Sequence, residues 1–529
     1  MITLSWAHAK LIIFFLNFMS STANRVIKNT GFLYAKMGIT MFISLYTTRL
    51  ILNSLGASDF GIFNIVGGAI AMLGFLNAAM ASATQRFMSY SEGEGNKEKQ
   101  KSIFNVSFIL HLGISFVVGI ALLIAGCFFF NGILNIPTAR VFAAKIVYGS
   151  LIVSTMFTVM TVPYDAAMNA HENMKYYAIV GIFESILKLT VAFICVYTTL
   201  DKLIVYGILM ACIPLITLGI MRIYCHRHYE ECEIAPRTYW NKKLMNDMAS
   251  FAGWNFISSL STVIGYHGIG IVLNHFFGAI ANAAQGVVNQ FSGQLGAFGN
   301  IMKKAINPVI TKSAGAHDDK MLIQATVTGT KMTFFATTIM FVPIMVDPQS
   351  ILMIWLKNPP QYTEIFCVLV LATNMTKYLT IYIPQSINSV GNIKKYSQIC
   401  CILGLLPIIL SYILFNWGFP PYTMYFTTIF AAIGRVVTDL YFGQILCGIS
   451  YKYFFREVIL KLLICVVISY SFGYIIKLLL IISLWRFVII VLITISIYAT
   501  GFYVIALNKK EKTIIQGLIV KAFSKIRKQ

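Results

Sequence analysis

The feature that most constrains this chain is the recurrence of apolar runs long enough to cross a lipid bilayer. The first run, residues 31–55, has about 25 residues, and the hydrocarbon core of a membrane needs roughly 20 in a helix. Hydrophobic residues make up 58% of the chain and charged residues 11%, against about 25% charged in a soluble domain. These proportions exclude a soluble enzyme and predict an all-α polytopic membrane protein.

Hydropathy predicts about fourteen transmembrane helices. They fall at 31–55, 61–83, 103–126, 142–163, 177–198, 202–222, 253–275, 281–302, 332–352, 363–385, 398–416, 421–447, 457–477 and 482–506. The domains are a cytoplasmic N-terminal segment (1–30), an N-terminal six-helix lobe (31–224), a linker with an amphipathic elbow (225–252), a C-terminal six-helix lobe (253–448), two additional helices (449–508) and a basic cytoplasmic tail (509–529). Because Met19-Ser20-Ser21-Thr22 looks like a natural beginning, residues 1–18 are expected to be an upstream artefact or a short interfacial segment.

The distribution of basic residues predicts the topology. The net charge of +22 is explained by cytoplasmic loops, which retain lysine and arginine during insertion, so no nucleic-acid partner is expected. Of 41 Lys and Arg, about 30 fall in loops on the N-terminal side and about 6 on the other. This asymmetry places both termini in the cytoplasm.

The second half of the chain repeats the plan of the first. A helix, a tight corner, a second helix and a charged loop recur with equal lengths, as transporters with internal repeats often show. One constant shift along the chain superposes Gly31 on Gly253, Thr40 on Thr262, Gly56 on Gly278, Ser91 on Ser313 and Gly93 on Gly315. The prediction is two six-helix lobes in a pseudo-symmetric repeat, followed by two C-terminal helices.

Ionisable and amide side chains at membrane depth are the candidate site residues. Arg49 lies about two turns inside the first span, where it either extends to the interface or faces a cavity. Two acid–base pairs have the four-residue spacing of one helix face, and each is either a coupling site or a structural pair; they are Glu184 with Lys188 and Arg435 with Asp439. A polar face follows in the eighth span, either a cavity wall or a tight helix contact: Asn282, Gln285 and Asn289, with Ser292 and Gly296.

No motif of an enzyme is present. The chain lacks a GxxxxGK[ST] phosphate loop. The run Cys225-His226-Arg227-His228, with Cys232 beyond it, has no standard zinc spacing, so a basic linker is expected rather than a metal site. Asp318-Asp319 alone is a weak sign of a glycosyltransferase, and the absence of a long outer loop disfavours a polymerase. We therefore expect neither metal nor cofactor.

Several short motifs resemble one family. They are Thr48-Arg49, Leu55-Gly56 and Phe60-Gly61, then Pro163-Tyr164-Asp165, Ala170-His171-Glu172-Asn173-Met174 and Phe251-Ala252-Gly253-Trp254-Asn255, and in the second half Asn274-His275-Phe276-Phe277-Gly278, Asn282-Ala283-Ala284 and Ala305-Ile306-Asn307-Pro308 to Lys312. Together they are similar to polysaccharide-biosynthesis flippases for O-antigen repeat units, in the multidrug/oligosaccharidyl-lipid/polysaccharide exporter superfamily.

The resemblance implies a transporter of the bacterial inner membrane with two lobes around a central cavity. The implied cargo is an oligosaccharide on a polyprenyl pyrophosphate, flipped by alternating access from the cytoplasmic to the periplasmic leaflet. Arg49 and Lys188 are the cations that could bind the pyrophosphate. Coupling to H⁺ or Na⁺ and contact with other polysaccharide assembly proteins are further expectations. The alternatives are a multidrug exporter of the same superfamily and, from another class, a membrane glycosyltransferase or polymerase.

The topology is tested by reporter fusions. We expect fusions at Gln100, Ala235, His317 and Gln529 to report cytoplasm, and fusions at Asn135 and Pro359 to report periplasm, because basic loops stay inside. A periplasmic C-terminus would contradict the count of fourteen spans.

Overall fold

The computed structural model describes residues 2–71, 74–130, 136–356, 359–481, 484–509, 511–513 and 516. Within these ranges the chain is helical or forms short connections, and no strand occurs. The prediction of an all-α membrane protein is thereby confirmed. In these ranges the helices group into two compact units. The first unit comprises Lys28–Ser259 and Thr311–His317, and the second comprises Met1–Ile27, Leu260–Ile310 and Asp318–Gln529.

The helices alternate with short turns in the described ranges. In chain order they are α1 (Ile2–Ala71), α2 (Gly74–Glu94), α3 (Lys97–Phe128), α4 (Val141–Met160), α5 (Val162–Ala170), α6 (Met174–Tyr197), α7 (Lys202–His228), α8 (Pro236–Tyr239), α9 (Lys242–Gly315), α10 (Asp319–Val346), α11 (Pro348–Leu356), α12 (Thr363–Tyr378), α13 (Ile383–Val390), α14 (Lys394–Asn416), α15 (Thr423–Cys447), α16 (Tyr451–Phe454), α17 (Lys461–Leu479) and α18 (Leu484–Gly501).

The count of fourteen spans is not confirmed. Among the described residues, ten helical segments are long and apolar enough to cross a membrane, and the bent pair α12 and α13, which meet at 42°, could form an eleventh. Each of these overlaps a predicted span. Three predicted spans have no counterpart in that set: 31–55, 61–83 and 281–302. Their described residues are helical, and residues 72 and 73 lie outside the described ranges. The amide-rich second half of α9 has a lower apolar character, and the span 61–83 contains residues outside the described ranges.

Two glycines break long helices at equivalent points of the repeat. Gly56 interrupts α1 with φ 79° and ψ 167°, and Gly278 interrupts α9 with φ 74° and ψ −168°. This backbone region is closed to residues with a Cβ atom, because the side chain would collide with the backbone. The shift that defines the repeat superposes the two breaks, so the same tight corner joins the paired helices in both halves.

The first unit is held near its glycine break by an arginine between two aspartates. The Arg140 guanidinium donates hydrogen bonds to the carboxylates of Asp59, which follows the break, and Asp201, which caps α7. Burial alone would raise the pKa of Asp201, but hydrogen bonds from Arg140 and from the Leu203 and Ile204 N–H groups outweigh it and keep that pKa below its usual range. The cluster therefore joins α1, the turn before α4 and the start of α7.

Two buried ion pairs attach the last helices to α10 and its C-terminal end. The Lys331 ammonium donates to Glu511, which lies beyond α18 and also accepts from Thr328. At the C-terminal end of α10, Arg486 of α18 donates to Asp347, which directly follows the helix. Because an ion left unpaired inside protein or lipid is costly, the two C-terminal helices are fixed parts of the second unit.

We predict that Glu511→Gln lowers the thermal stability of the purified protein, because it leaves the Lys331 ammonium buried without its counter-ion. Breaking a buried pair costs about 3–5 kcal/mol. The double variant Lys331→Met/Glu511→Leu should recover most of the loss, since no charge stays buried. The measurement is the unfolding midpoint in detergent.

The matched control is Glu457→Gln, which breaks a pair with Lys461 in which both side chains are 29% exposed and which should shift the midpoint little. Equal effects of Glu511→Gln and Glu457→Gln would show that the Lys331 pair does not hold the C-terminal helices.

Candidate functional site

Helices α1 and α6 of the first unit run in the same direction and form the frame of the candidate site. Ser54 of α1 donates a hydrogen bond to the Cys195 carbonyl near the end of α6, at 2.6 Å. Ile51 shares a buried cluster with Val191 and Cys195. Nearer the N-terminal side of both segments, the Lys36 ammonium lies over the ring of Tyr177 in the first turn of α6. One face of α1 therefore packs along one face of α6.

The Lys36 side chain packs against α6 at Tyr177 and Gly181, a contact that the sequence did not predict. Its Nζ lies 4.2 Å from the centroid of the Tyr177 ring, a distance typical of a cation–π contact. A Cβ atom at Gly181 would overlap the Cε and Nζ atoms of Lys36, so the end of the lysine side chain lies directly against this glycine. No carboxylate contacts Lys36 among the described residues. Lys36 is thus a cation at membrane depth that is held by a ring and a glycine rather than by an acid.

Glu184 and Lys188 form the ion pair that their spacing suggests. The Lys188 ammonium lies 2.6 Å from a Glu184 carboxylate oxygen, with the two side chains 42% and 37% exposed. Tyr177, Gly181, Glu184 and Lys188 share one face of α6, because their spacings of four, three and four residues follow the helical repeat. The charge of Lys188 is therefore compensated within its own helix.

Arg49 lies on a different side of α1 from Lys36. The two positions differ by about three and a half helical turns, which places Arg49 about 140° away around the helix. Its side chain is exposed and has no ion pair or hydrogen bond with the described part of the chain. The structure shows no contact between Arg49 and Lys188, so their joint role stays a prediction.

The amide face of α9 is partly a packing surface of the second unit. A Cβ atom at Gly270 would lie 3.0 Å from the Gln285 Oε1 atom and 3.6 Å from the Asn282 Oδ1 atom, so both amides lie against the first half of α9. Ser292 accepts a 2.6 Å hydrogen bond from Asn374 of α12. Asn289 is half-buried.

Arg435 and Asp439 belong to a hydrogen-bonded network in the second unit. Asp439 accepts from Thr380 at 2.7 Å, from the Tyr396 hydroxyl at 2.8 Å and from Arg435 at 3.2 Å. Arg435 also donates to the Tyr396 oxygen at 2.8 Å. Both Asp439 oxygens have donors, which favours a structural pair over an ion-coupling site. Tyr396 and Thr380 lie far away in sequence, so no local spacing predicts them.

Lys377 and the Cys225–His228 run also have clear positions. Lys377 of α12 is exposed, and none of the described acids contacts it. In the linker, His228 stacks on Tyr224 with ring centroids 4.2 Å apart, and Cys225 and Cys232 are buried free thiols. These linker residues do not form a group of three possible metal ligands in the described ranges.

Solved structures of known transporters share this fold. A MATE in the bent conformation has a TM-score of 0.70 at 14% identity, with 81% of this chain and 96% of that chain covered. An outward-facing multidrug resistance MATE family transporter of the MOP superfamily gives a TM-score of 0.67 at 14% identity and the same coverage. A MOP superfamily transporter from Pyrococcus furiosus, for which a reverse polarity of the binding pocket suggests a different function, gives 0.68 at 14% identity, again covering 81% and 96%.

The fold is therefore that of the MATE and MOP transporters. At such low identity these structures establish the fold alone. A family model described as polysaccharide biosynthesis protein matches residues 26–314, more than half of the chain. The chain belongs to this family, which confirms the predicted resemblance. No curated protein sequence matches it.

Proposed function

We propose that this membrane transporter flips a polyprenyl-pyrophosphate-linked oligosaccharide from the cytoplasmic to the periplasmic leaflet of a bacterial inner membrane. The observation that carries the proposal is which cations of the first unit lack an acidic partner. Lys36 and Arg49 have no acidic partner among the described residues, whereas Lys188 is neutralised by Glu184. Membership of a polysaccharide biosynthesis family supports a glycan cargo.

The physics of the cargo fits these cations. A pyrophosphate and its sugars cannot enter hydrocarbon unaided, because each unpaired polar group costs several kcal/mol there. An arginine or lysine at the centre of a membrane helix costs about 2.5–3.5 kcal/mol. An anionic headgroup beside Lys36 or Arg49 reduces both costs at once, since each charge neutralises the other. The lipid tail stays in the bilayer throughout.

The three cations have different roles in this proposal. The planar guanidinium of Arg49 carries several N–H donors whose spacing matches the oxygens of a phosphate. Lys36 supplies a point charge whose position is fixed by Tyr177 and Gly181. Lys188 contributes less, because Glu184 competes with the cargo for its ammonium. Within the second unit, the exposed amide of Asn282 offers hydrogen-bonding groups to sugar hydroxyls, whereas Gln285 is buried against the first half of α9.

A multidrug exporter is the second candidate function, because the similar solved structures include multidrug transporters. A cationic drug requires an uncompensated carboxylate. In the α1–α6 frame the acids are Asp59, which pairs with Arg140, and Glu184, which pairs with Lys188. The sign of the unpaired charge therefore favours an anionic cargo. We further propose coupling to H⁺ or Na⁺, cytoplasmic termini and association with other polysaccharide assembly proteins.

We predict that Arg49→Ala and Lys36→Met each weaken transport more than Lys188→Met does. Losing one charge-assisted contact costs about 1.5–3 kcal/mol, roughly a ten- to hundredfold weakening of cargo binding. Arg49→Lys should be partly active, because it keeps the charge without the fork. The measurement is complementation of a flippase deletion, read as surface polysaccharide at equal membrane abundance of each variant.

The control is Lys175→Ala, which removes an exposed cation from the first turn of α6 and should complement fully. Normal flipping by well-expressed Arg49→Ala and Lys36→Met would refute the cationic site. Drug efflux that is lost in Glu184→Gln, with surface polysaccharide unchanged, would favour the multidrug exporter instead.

A further inference from the structure

The first turns of α9, residues 242–252, form an elbow helix whose apolar face is buried within the first unit. Leu244, Met248 and Phe251 recur along one side of this helix and are at most 9% exposed. Asn241 caps the helix by accepting a hydrogen bond from the Leu244 N–H group. Because the apolar face packs against protein, it is not available to a membrane, and only the polar face of the elbow helix is free to meet a ligand.

An arginine of α2 holds the elbow helix in place. The Arg86 guanidinium lies 4.5 Å from the centroid of the Phe87 ring and 5.3 Å from that of the Phe251 ring, distances typical of cation–π contacts. The rings of Phe87 and Phe251 also meet edge to face, with centroids 6.0 Å apart. The elbow helix is therefore fixed to α2 through aromatic rings and one guanidinium.

The segment that precedes the elbow helix is anchored on α3. Asn105, which is 1% exposed, donates a 2.8 Å hydrogen bond to the Glu233 carbonyl and accepts one of 2.9 Å from the Ala235 N–H group. Lys101 donates to the Tyr239 hydroxyl at 3.3 Å and pairs with the Glu233 carboxylate. This segment and the elbow helix are thus held by α3 and α2 in one fixed arrangement.

The side chains left exposed on this fixed segment are basic and aromatic. Arg237, Lys242 and Lys243 are exposed, and no acid in the described ranges pairs with them. Trp240 lies between them in the chain and is 42% exposed. The acid of the next turn, Asp247, is exposed and its charge acts on Arg86. We refer to these three cations and the tryptophan as the elbow surface.

We propose that the elbow surface binds the headgroup of an anionic phospholipid. Its cations complement the charge of such a lipid, and tryptophan is enriched at the boundary between membrane and water. The apolar helical segment that begins at Lys242 has 37 residues, whereas a membrane core needs roughly 20. Because its charged residues lie at its start, the elbow helix lies outside the hydrocarbon, at the depth of the headgroups. The anchors at Arg86 and Asn105 fix the surface in advance, so that binding costs little conformational entropy.

The test is a titration of the purified full-length protein in detergent with phosphatidylglycerol or phosphatidylcholine, in which native mass spectrometry counts the bound lipids. We expect the wild type to prefer phosphatidylglycerol. Each single change of Arg237, Lys242 or Lys243 to glutamine should weaken phosphatidylglycerol binding about fivefold. The triple variant Arg237→Gln/Lys242→Gln/Lys243→Gln should lose the preference. A photoreactive phosphatidylglycerol should label the wild-type peptide that contains residues 236–243.

The matched control, Lys175→Gln/Arg227→Gln/Lys320→Gln, removes three exposed cations outside the elbow surface and should leave the preference for phosphatidylglycerol unchanged. The proposal is overturned if the elbow triple variant keeps the wild-type preference, or if the photoreactive lipid labels other peptides instead. It is equally overturned if the control lowers the preference as much, which would make the binding a diffuse effect of charge. Binding of polyglutamate but not of phosphatidylglycerol would assign the surface to an acidic protein. Because no oligosaccharide cargo is present, each result is independent of the proposed flippase activity.

Discussion

The structure depends on how each charge at membrane depth is neutralised. In the second unit Lys331, Arg486 and Arg435 are each paired with an acid, and the first two of these pairs join elements that are far apart in sequence. In the first unit Lys36 and Arg49 have no such acid among the described residues. Because an isolated charge is costly in this medium, the paired ions hold the fold, and the anionic cargo that we propose gives Lys36 and Arg49 the partner that the described chain does not supply.

Features with a local signal in the sequence could be predicted. Apolar runs identified most of the helices, and the corners at Gly56 and Gly278 followed from the internal repeat and from the freedom of glycine at positive φ. The Glu184–Lys188 pair followed from helical spacing. Contacts between distant segments could not be predicted, as Lys331 and Glu511 show, because no pattern marks two residues so far apart in the chain. The count of fourteen spans was not confirmed, because the amide-rich second half of α9 has a weak hydropathy signal and part of the span 61–83 lies outside the described residues.

The candidate site also contains residues with a local sequence signal and residues whose role depends on distant segments. Lys188 was found because charge inside an apolar run is easy to detect, yet its partner on the next turn neutralises it. Lys36 was missed because its position depends on Tyr177 and on the absence of a side chain at Gly181, both on a helix much further along the chain. A glycine that faces a lysine across two parallel helices leaves no trace in either segment alone. Arg49 stays a prediction that rests on depth and charge.

The motifs that identify the family mostly hold the fold. Asn173 caps α6, Glu172 receives Lys312, and Gly56 makes a corner that other residues cannot adopt. Of the two cations that we propose to contact the cargo, Arg49 lies in one of these motifs and Lys36 lies outside them. In the α1–α6 frame these two cations have no acidic partner among the described residues, and our proposal of an anionic lipid-linked glycan rests on this sign of charge rather than on any motif.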